Sequence, residues 1–160
     1  HAGNAFRALG DTIELSNAVR TAISKTSSND TLIIVTADHS HTFTIAGYPQ
    51  RGNPILGLVK EADQAKPATD RHGQPYTTLS YANGPGYREG SHDDDEHPAI
   101  NSEDPGYLQA ATVPLATETH AGEDVAIFAS GPKAHWFHGI QEQSYIYQVM
   151  ARALGFEPGH

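Results

Sequence analysis

Residues 31–41 read T-L-I-I-V-T-A-D-H-S-H, an apolar run that stops abruptly at one carboxylate, Asp38, and two imidazoles, His39 and His41. Aspartate oxygen and histidine nitrogen are ligand types that zinc prefers when no thiolate is on offer. The chain contains no cysteine, so disulfides and thiolate metal sites are excluded, and any zinc must be held by nitrogen and oxygen. Two more imidazoles can converge with these. His1 opens His1-Ala2-Gly3-Asn4, and His120 lies in Thr119-His120-Ala121-Gly122-Glu123-Asp124, a glycine-containing turn just ahead of a second apolar run. Taken singly, a histidine is most often a surface or hydrogen-bonded residue. Spacing alone therefore leaves the metal centre and the ordinary reading both open. His72, His92, His97, His135, His138 and His160 take the ordinary reading.

These groups need elements to position them. Leu32, Ile33, Ile34 and Val35 are continuous, apolar and mostly β-branched, which predicts a strand over 31–36 buried on both faces of a parallel sheet. In open α/β sheets, ligands sit beyond the carboxyl ends of the strands, which is where Asp38, His39 and His41 stand. Upstream, Asp11 and Glu14 have capping-box spacing, and Ile13, Leu15, Ala18, Val19, Ala22 and Ile23 repeat with helical period. They predict an amphipathic helix over 12–25, with 5–9 as the end of an earlier helix broken at Gly10. A second buried strand is expected over 124–129, and a last helix over 141–154 with Tyr145, Ile146, Val149, Met150 and Ala153 on one face, ended by Gly155. The alternation of helix and strand at both ends predicts a doubly wound α/β domain.

Between these ends, eight prolines from Pro49 to Pro114 and many glycines break the chain, with a short strand expected over 76–81. A structureless loop of that length is unusual in a compact domain, so 47–119 reads as an inserted irregular subdomain between core segments 1–46 and 120–160. Within it, His92-Asp93-Asp94-Asp95-Glu96-His97 admits a calcium or second-metal reading, against the far commoner solvated acidic loop.

The 160 residues suffice for one domain with a real core. A net charge of −9 argues against non-specific nucleic-acid binding and against adhesion to an anionic membrane. No stretch approaches the about 20 apolar residues of a membrane span.

The motifs T-A-D-H-S-H followed by F-T-I-A-G-Y-P-Q-R-G-N-P-I-L-G-L, Tyr81-Ala82-Asn83-Gly84-Pro85-Gly86-Tyr87, and E-T-H-A-G-E-D-V-A-I-F-A-S-G-P-K-A-H-W-F-H-G-I-Q-E-Q from Glu118 to Gln143 resemble the alkaline phosphatase family, particularly its animal and marine bacterial branch. The resemblance covers nearly the whole chain and corresponds to about the C-terminal third of such an enzyme. It implies a three-layer α/β/α domain with a crown-like insertion over 47–119 that shapes access and dimer contacts. It also implies two zinc ions and one magnesium ion, with His1 and His120 on the first zinc and Asp38 and His39 on the second. His41 would lie just outside the metal shell, steadying an aspartate of the first zinc, as outer hydrogen-bond partners generally do. The associated chemistry is two-metal phosphoryl transfer from phosphate monoesters, with ions about 4 Å apart flanking an in-line displacement that passes through a phosphoserine. Inorganic phosphate is the product, a homodimer the expected assembly, and the periplasm or extracellular space the expected location.

Parts of the family's site have no counterpart on this chain. Asp-Ser occurs nowhere, so the nucleophilic serine is not here, and Arg51, Arg71 and Arg88 match no phosphate-binding motif. The resemblance places the serine, the phosphate-gripping arginine, the magnesium ligands and the remaining zinc aspartates upstream of His1, with one aspartate four residues before it. The segment alone is expected to be inactive. Two rivals stay in view: a phosphodiesterase, sulfatase or phosphoglycerate mutase sharing related metal architecture, and a non-catalytic metal-binding or interaction module. The E-T-H-A-G-E-D-V and N-G-P-G-Y runs favour the monoesterase.

Overall fold

A computed structural model describes residues 1–89 and 100–156. The acidic segment with His92 and His97, and His160, lie outside the described residues. In chain order the elements are helix α1 (Ala5–Lys25), strands β1 (Ile33–Val35), β2 (Ser40–His41), β3 (Phe43–Ile45), β4 (Leu79–Gly84), β5 (Ala111–Pro114), β6 (His120–Ala121) and β7 (Phe128–Ser130), a 3-10 turn (Ala134–Trp136), and helix α2 (Tyr145–Ala153). This mixture of helix and strand agrees with the α/β class. The chain divides into two compact units, one of His1–Thr12 and His41–Gly122, the other of Ile13–Ser40 and Glu123–His160.

The first unit is built on a three-stranded sheet in the order β3-β4-β5. Strand β4 runs antiparallel to β3, with Phe43 opposite Tyr81, and parallel to β5, with Tyr81 opposite Ala111. Side chains alternate faces along a strand, so Leu79 and Tyr81 share one face, and both are buried with Val59 and Ala5. Full burial of a side chain such as Leu79 contributes about 1.5–3 kcal/mol. The strand expected over 76–81 forms three residues later. It carries the Asn83-Gly84 half of the N-G-P-G-Y motif and ends at Pro85, which has no N–H to give the ladder. Gly86 then passes so close to residue 109 that a Cβ there would overlap the Gln109 carbonyl oxygen.

Helix α1 differs from the sequence expectation. It is continuous from Ala5 through Gly10 to Lys25, because its cap is Asn4 and not Asp11. The Asn4 Oδ1 accepts the Arg7 N–H at 2.9 Å, satisfying a donor that the first helical turn otherwise leaves orphaned. A glycine inside a helix costs only about 0.5–1 kcal/mol relative to alanine, too little to break a capped helix of this length.

In the second unit β1 pairs with β7 through Ile33–Ser130, Ile34–Ala129 and Val35–Phe128, and the pairing is antiparallel. The parallel, doubly buried strand expected over 31–36 is corrected on both counts. It is shorter, and its residues are only half-buried, with β7 its one strand partner among the described residues. The second expected strand likewise contracts from 124–129 to Phe128–Ser130. Gly131 (φ 105°) follows it so closely against Thr31 that a Cβ would overlap the Thr31 carbonyl. Helix α2 starts at Tyr145, four residues later than expected, and buries Val149 and Ala151. It ends as anticipated at Gly155 (φ 77°). The Gly155 N–H reaches the Arg152 carbonyl at 3.1 Å and the Phe156 N–H reaches that of Ala151 at 2.8 Å, the paired bonds of a Schellman cap.

Candidate metal centre

Three of the histidines singled out in the sequence meet in the first unit. His41 is in β2, His120 in the β6 strand that pairs with it, and His1 precedes α1. Their ring centroids form a nearly equilateral triangle, 4.9 Å between His1 and His41, 5.1 Å between His1 and His120, and 5.3 Å between His41 and His120. One ligand nitrogen from each ring lies within 4.8 Å of the other two, close enough for a single ion to be shared.

The triangle is held by Glu118, a residue that the sequence reading passed over. Its side chain is 0 % exposed, yet it is an acid. Oε2 accepts the His41 Nδ1–H at 2.6 Å, and Oε1 accepts the Thr42 N–H at 2.6 Å and the Thr42 hydroxyl at 2.8 Å. The main chain of the same residue brackets His1. The Glu118 carbonyl accepts from His1 Nδ1 at 2.6 Å, and the Glu118 N–H donates to the His1 carbonyl at 2.9 Å. Burial pushes the Glu118 carboxyl up, but the hydrogen bonds from His41 and Thr42 outweigh it and hold the group below its ordinary value. Nδ1 of His1 and Nδ1 of His41 thus both face oxygen acceptors, which leaves Nε2 of His1 for a metal. The donor set fits zinc: three imidazoles, two of them held at Nδ1 by oxygen, with no thiolate.

Two amides fix the approach segments. Gln109 is almost fully buried, accepts the Ala5 N–H on its side chain and gives its own N–H to the Gly3 carbonyl at 2.9 Å. It thereby pins the stretch between His1 and α1. Asn4 adds a bond from Nδ2 to the Pro105 carbonyl at 2.8 Å. Asn83 does the same for His120, accepting the Thr119 N–H at 3.0 Å and donating to the Thr119 hydroxyl at 2.9 Å. The N-G-P-G-Y motif is thus tied directly to the residue before His120.

Asp38 and His39 belong to the second unit and form a pair of their own. Asp38 Oδ2 is 3.3 Å from His39 Nε2, Asp38 Oδ1 accepts the His39 N–H at 3.2 Å, and the Asp38 side chain is 79 % exposed. Next to them the Ser40 hydroxyl donates to Glu123 at 2.6 Å, a bond that lowers the Glu123 pKa. Of the basic residues left aside in the sequence, Arg88 lies over the Tyr107 ring and donates to the Leu108 carbonyl, while Arg71 donates to the His72 ring. Both arginines serve loop structure.

An acid-anchored cluster of imidazoles within a mixed helix-and-strand fold defines the class: a protein with a nitrogen-lined site able to hold a metal ion. The comparisons sharpen this. The family model for alkaline phosphatase matches residues 1–156, and the chain belongs to that family. It is 46 % identical over 158 residues to the tissue-nonspecific isozyme of alkaline phosphatase from Gallus gallus, covering 99 % of this chain. The Homo sapiens tissue-nonspecific isozyme is 44 % identical over 162 residues and 100 % of the chain, and the Gadus morhua alkaline phosphatase 43 % over 156 residues and 96 %. The chain spans 29 %, 30 % and 31 % of the lengths of these three relatives. Among the described residues no helix is long and apolar enough to cross a membrane.

Proposed function

We propose that this chain is the C-terminal portion of a zinc-dependent alkaline phosphatase that hydrolyses phosphate monoesters through a phosphoserine whose serine lies on another part of the polypeptide. The reading is supported above all by the triangle of His1, His41 and His120, whose ligand nitrogens gather within 4.8 Å in a chain matched by the family model. In this reading His1 and His120 are ligands of the first zinc, and Asp38 and His39 of the second. His41 stands just behind the first zinc and steadies an incoming carboxylate. Two zinc ions, when bound, would stabilise the attacking and leaving oxygens of phosphoryl transfer, with a magnesium ion held by residues elsewhere.

What this chain's own residues do follows from their contacts. His1 and His120 offer imidazole nitrogen. The Glu118 carbonyl holds the His1 ring, and the Asn83 bonds fix the main chain just before His120. Because the imidazoles must be unprotonated to act as ligands, acid should release the metal. Residues 47–119 are proposed as the crown-like insertion between core segments 1–46 and 120–160 of a three-layer domain, shaping access and homodimer contacts. The proposed location is periplasmic or extracellular.

The test is an assay of the full-length polypeptide against a chromogenic phosphate monoester, a diester and a sulfate ester, with metal content measured in parallel. Preference for the monoester, abolished by chelation and restored by zinc, is expected. Preference for the diester or sulfate would move the protein to another branch of the same chemistry. The isolated 160-residue chain should show negligible turnover, since it lacks an Asp-Ser nucleophile motif.

A further inference from the structure

We infer that Glu118 is the positioning residue of the imidazole cluster, setting the ring orientation of His41 with its carboxylate and of His1 with its main-chain carbonyl. The inference rests on the metal-centre reading above and names the group that makes the site ready for an ion. A fully buried carboxylate carries a large desolvation cost, which is recovered only where several good hydrogen bonds reach it. Here three bonds do, from the His41 ring, the Thr42 N–H and the Thr42 hydroxyl, and they come from residues 76 and 77 positions away in sequence. Burial of an acid for fold stability alone would be satisfied by any donors. In this case one oxygen is committed to the ring that faces His1 and His120 at 4.9 and 5.3 Å. The same residue's peptide groups then clasp His1 from both sides.

The arrangement specifies a tautomer as well as a position. A carboxylate accepts only, so His41 must present Nδ1–H to it. The Glu118 carbonyl imposes the same choice on His1. A glutamine at 118 would turn an amide N–H₂ toward either His41 or Thr42, setting donor against donor. Both the ring angle and the tautomer of His41 would then be released.

The experiment compares wild-type, Glu118→Gln and Thr42→Val forms of the full-length polypeptide, stripped of metal and titrated with zinc against a chromogenic chelator. Imidazole nitrogen shifts of the metal-free proteins report the tautomers. Glu118→Gln should lose about 10–100-fold in zinc affinity and should mix the His41 tautomers. Thr42→Val keeps the carboxylate and should stay within about threefold of wild type. Equal zinc affinity and an unchanged His41 tautomer in Glu118→Gln would overturn the proposal and leave Glu118 a packing residue. A wild type that binds no zinc would instead refute the metal-centre reading, and the tautomer comparison would still decide whether Glu118 orients the rings. If Glu118→Gln does not fold, Glu118→Asp, which withdraws the charge by one methylene, takes its place with the same expected direction in both readouts.

Discussion

Asn83 and Thr119 are joined by two hydrogen bonds running in opposite directions, the Thr119 N–H to Asn83 Oδ1 at 3.0 Å and Asn83 Nδ2 to the Thr119 hydroxyl at 2.9 Å. A side-chain amide carries a donor and an acceptor on adjacent atoms, which suits it to such a fork. The consequence is that the end of β4 and the residue before His120, 36 positions apart, move as one.

Asn83→Ala should therefore weaken the site without touching a histidine. Loss of two modest hydrogen bonds costs about 1–2 kcal/mol of stability. Zinc affinity should fall severalfold, because His120 loses its anchor. Asn83→Asp keeps the acceptor and loses the donor, so it should fall between the two. Denaturant unfolding and chelator competition on the full-length polypeptide check both figures, and equal zinc affinity in Asn83→Ala and wild type would show that the fork plays no part in holding His120.

Glu118 also predicts a pH dependence of folding. Its carboxyl is held below its ordinary value in the folded chain, so the unfolded state binds its proton first as acid is added. The stabilisation it supplies is fully present above the ordinary carboxylate range and is lost as pH falls through the depressed folded value. Glu118→Gln should accordingly cost about 1.5–3 kcal/mol near neutrality, the range for hydrogen bonds to a charged group. That cost should shrink steadily in acid. Unfolding free energies of both forms measured from pH 7 downward, with metal removed, test the sign. A gap that stays constant or widens in acid would contradict it.

Gly86→Ala should be strongly destabilising, because the new methyl would overlap the Gln109 carbonyl, whose own N–H and side chain pin the segment after His1. Backbone displacement of this kind costs about 1–3 kcal/mol or more. Gly122→Ala is the control, since a Cβ there meets nothing within 4 Å. Its effect should stay within about 0.5 kcal/mol. Comparable losses in the two variants would mean that the close approach at Gly86 is not tight in solution.

The histidines are legible as candidate site residues because the runs around them resemble a family, while their spacing alone leaves the question open. Glu118 was not legible at all. It opens the E-T-H-A-G-E-D-V run, but a glutamate between two threonines carries no local sign of burial, and its hydrogen-bond partners His41 and Thr42 are far away in sequence. Gln109 and Asn83 were hidden for the same reason, since an amide shows its role only through non-local partners. The run 32–35 correctly marked a strand, but apolar continuity reports how much a strand is covered and not which way its neighbour runs. The antiparallel partner β7 was therefore beyond it. At the other end of the chain, Gly155 was readable as a stop because a helix cap is a local event that needs only the residues beside it.

Helix α1 supplies the prediction most directly opposed to the sequence pattern. Gly10 looked like a break between two helices, yet it lies within one continuous helix, and a Cβ at that position meets nothing within 4 Å. Alanine there narrows the unfolded chain's freedom and adds no clash, so Gly10→Ala should stabilise by about 0.5–1 kcal/mol. Gly3→Ala should do the reverse. That residue holds φ at 64°, and its Cβ would approach Pro85 at 3.3 Å, so the substitution adds both strain and crowding just after His1. Thermal unfolding of the two variants should thus move in opposite directions from wild type. A destabilised Gly10→Ala would restore the broken-helix reading, since only a non-helical conformation at residue 10 would make the methyl unwelcome.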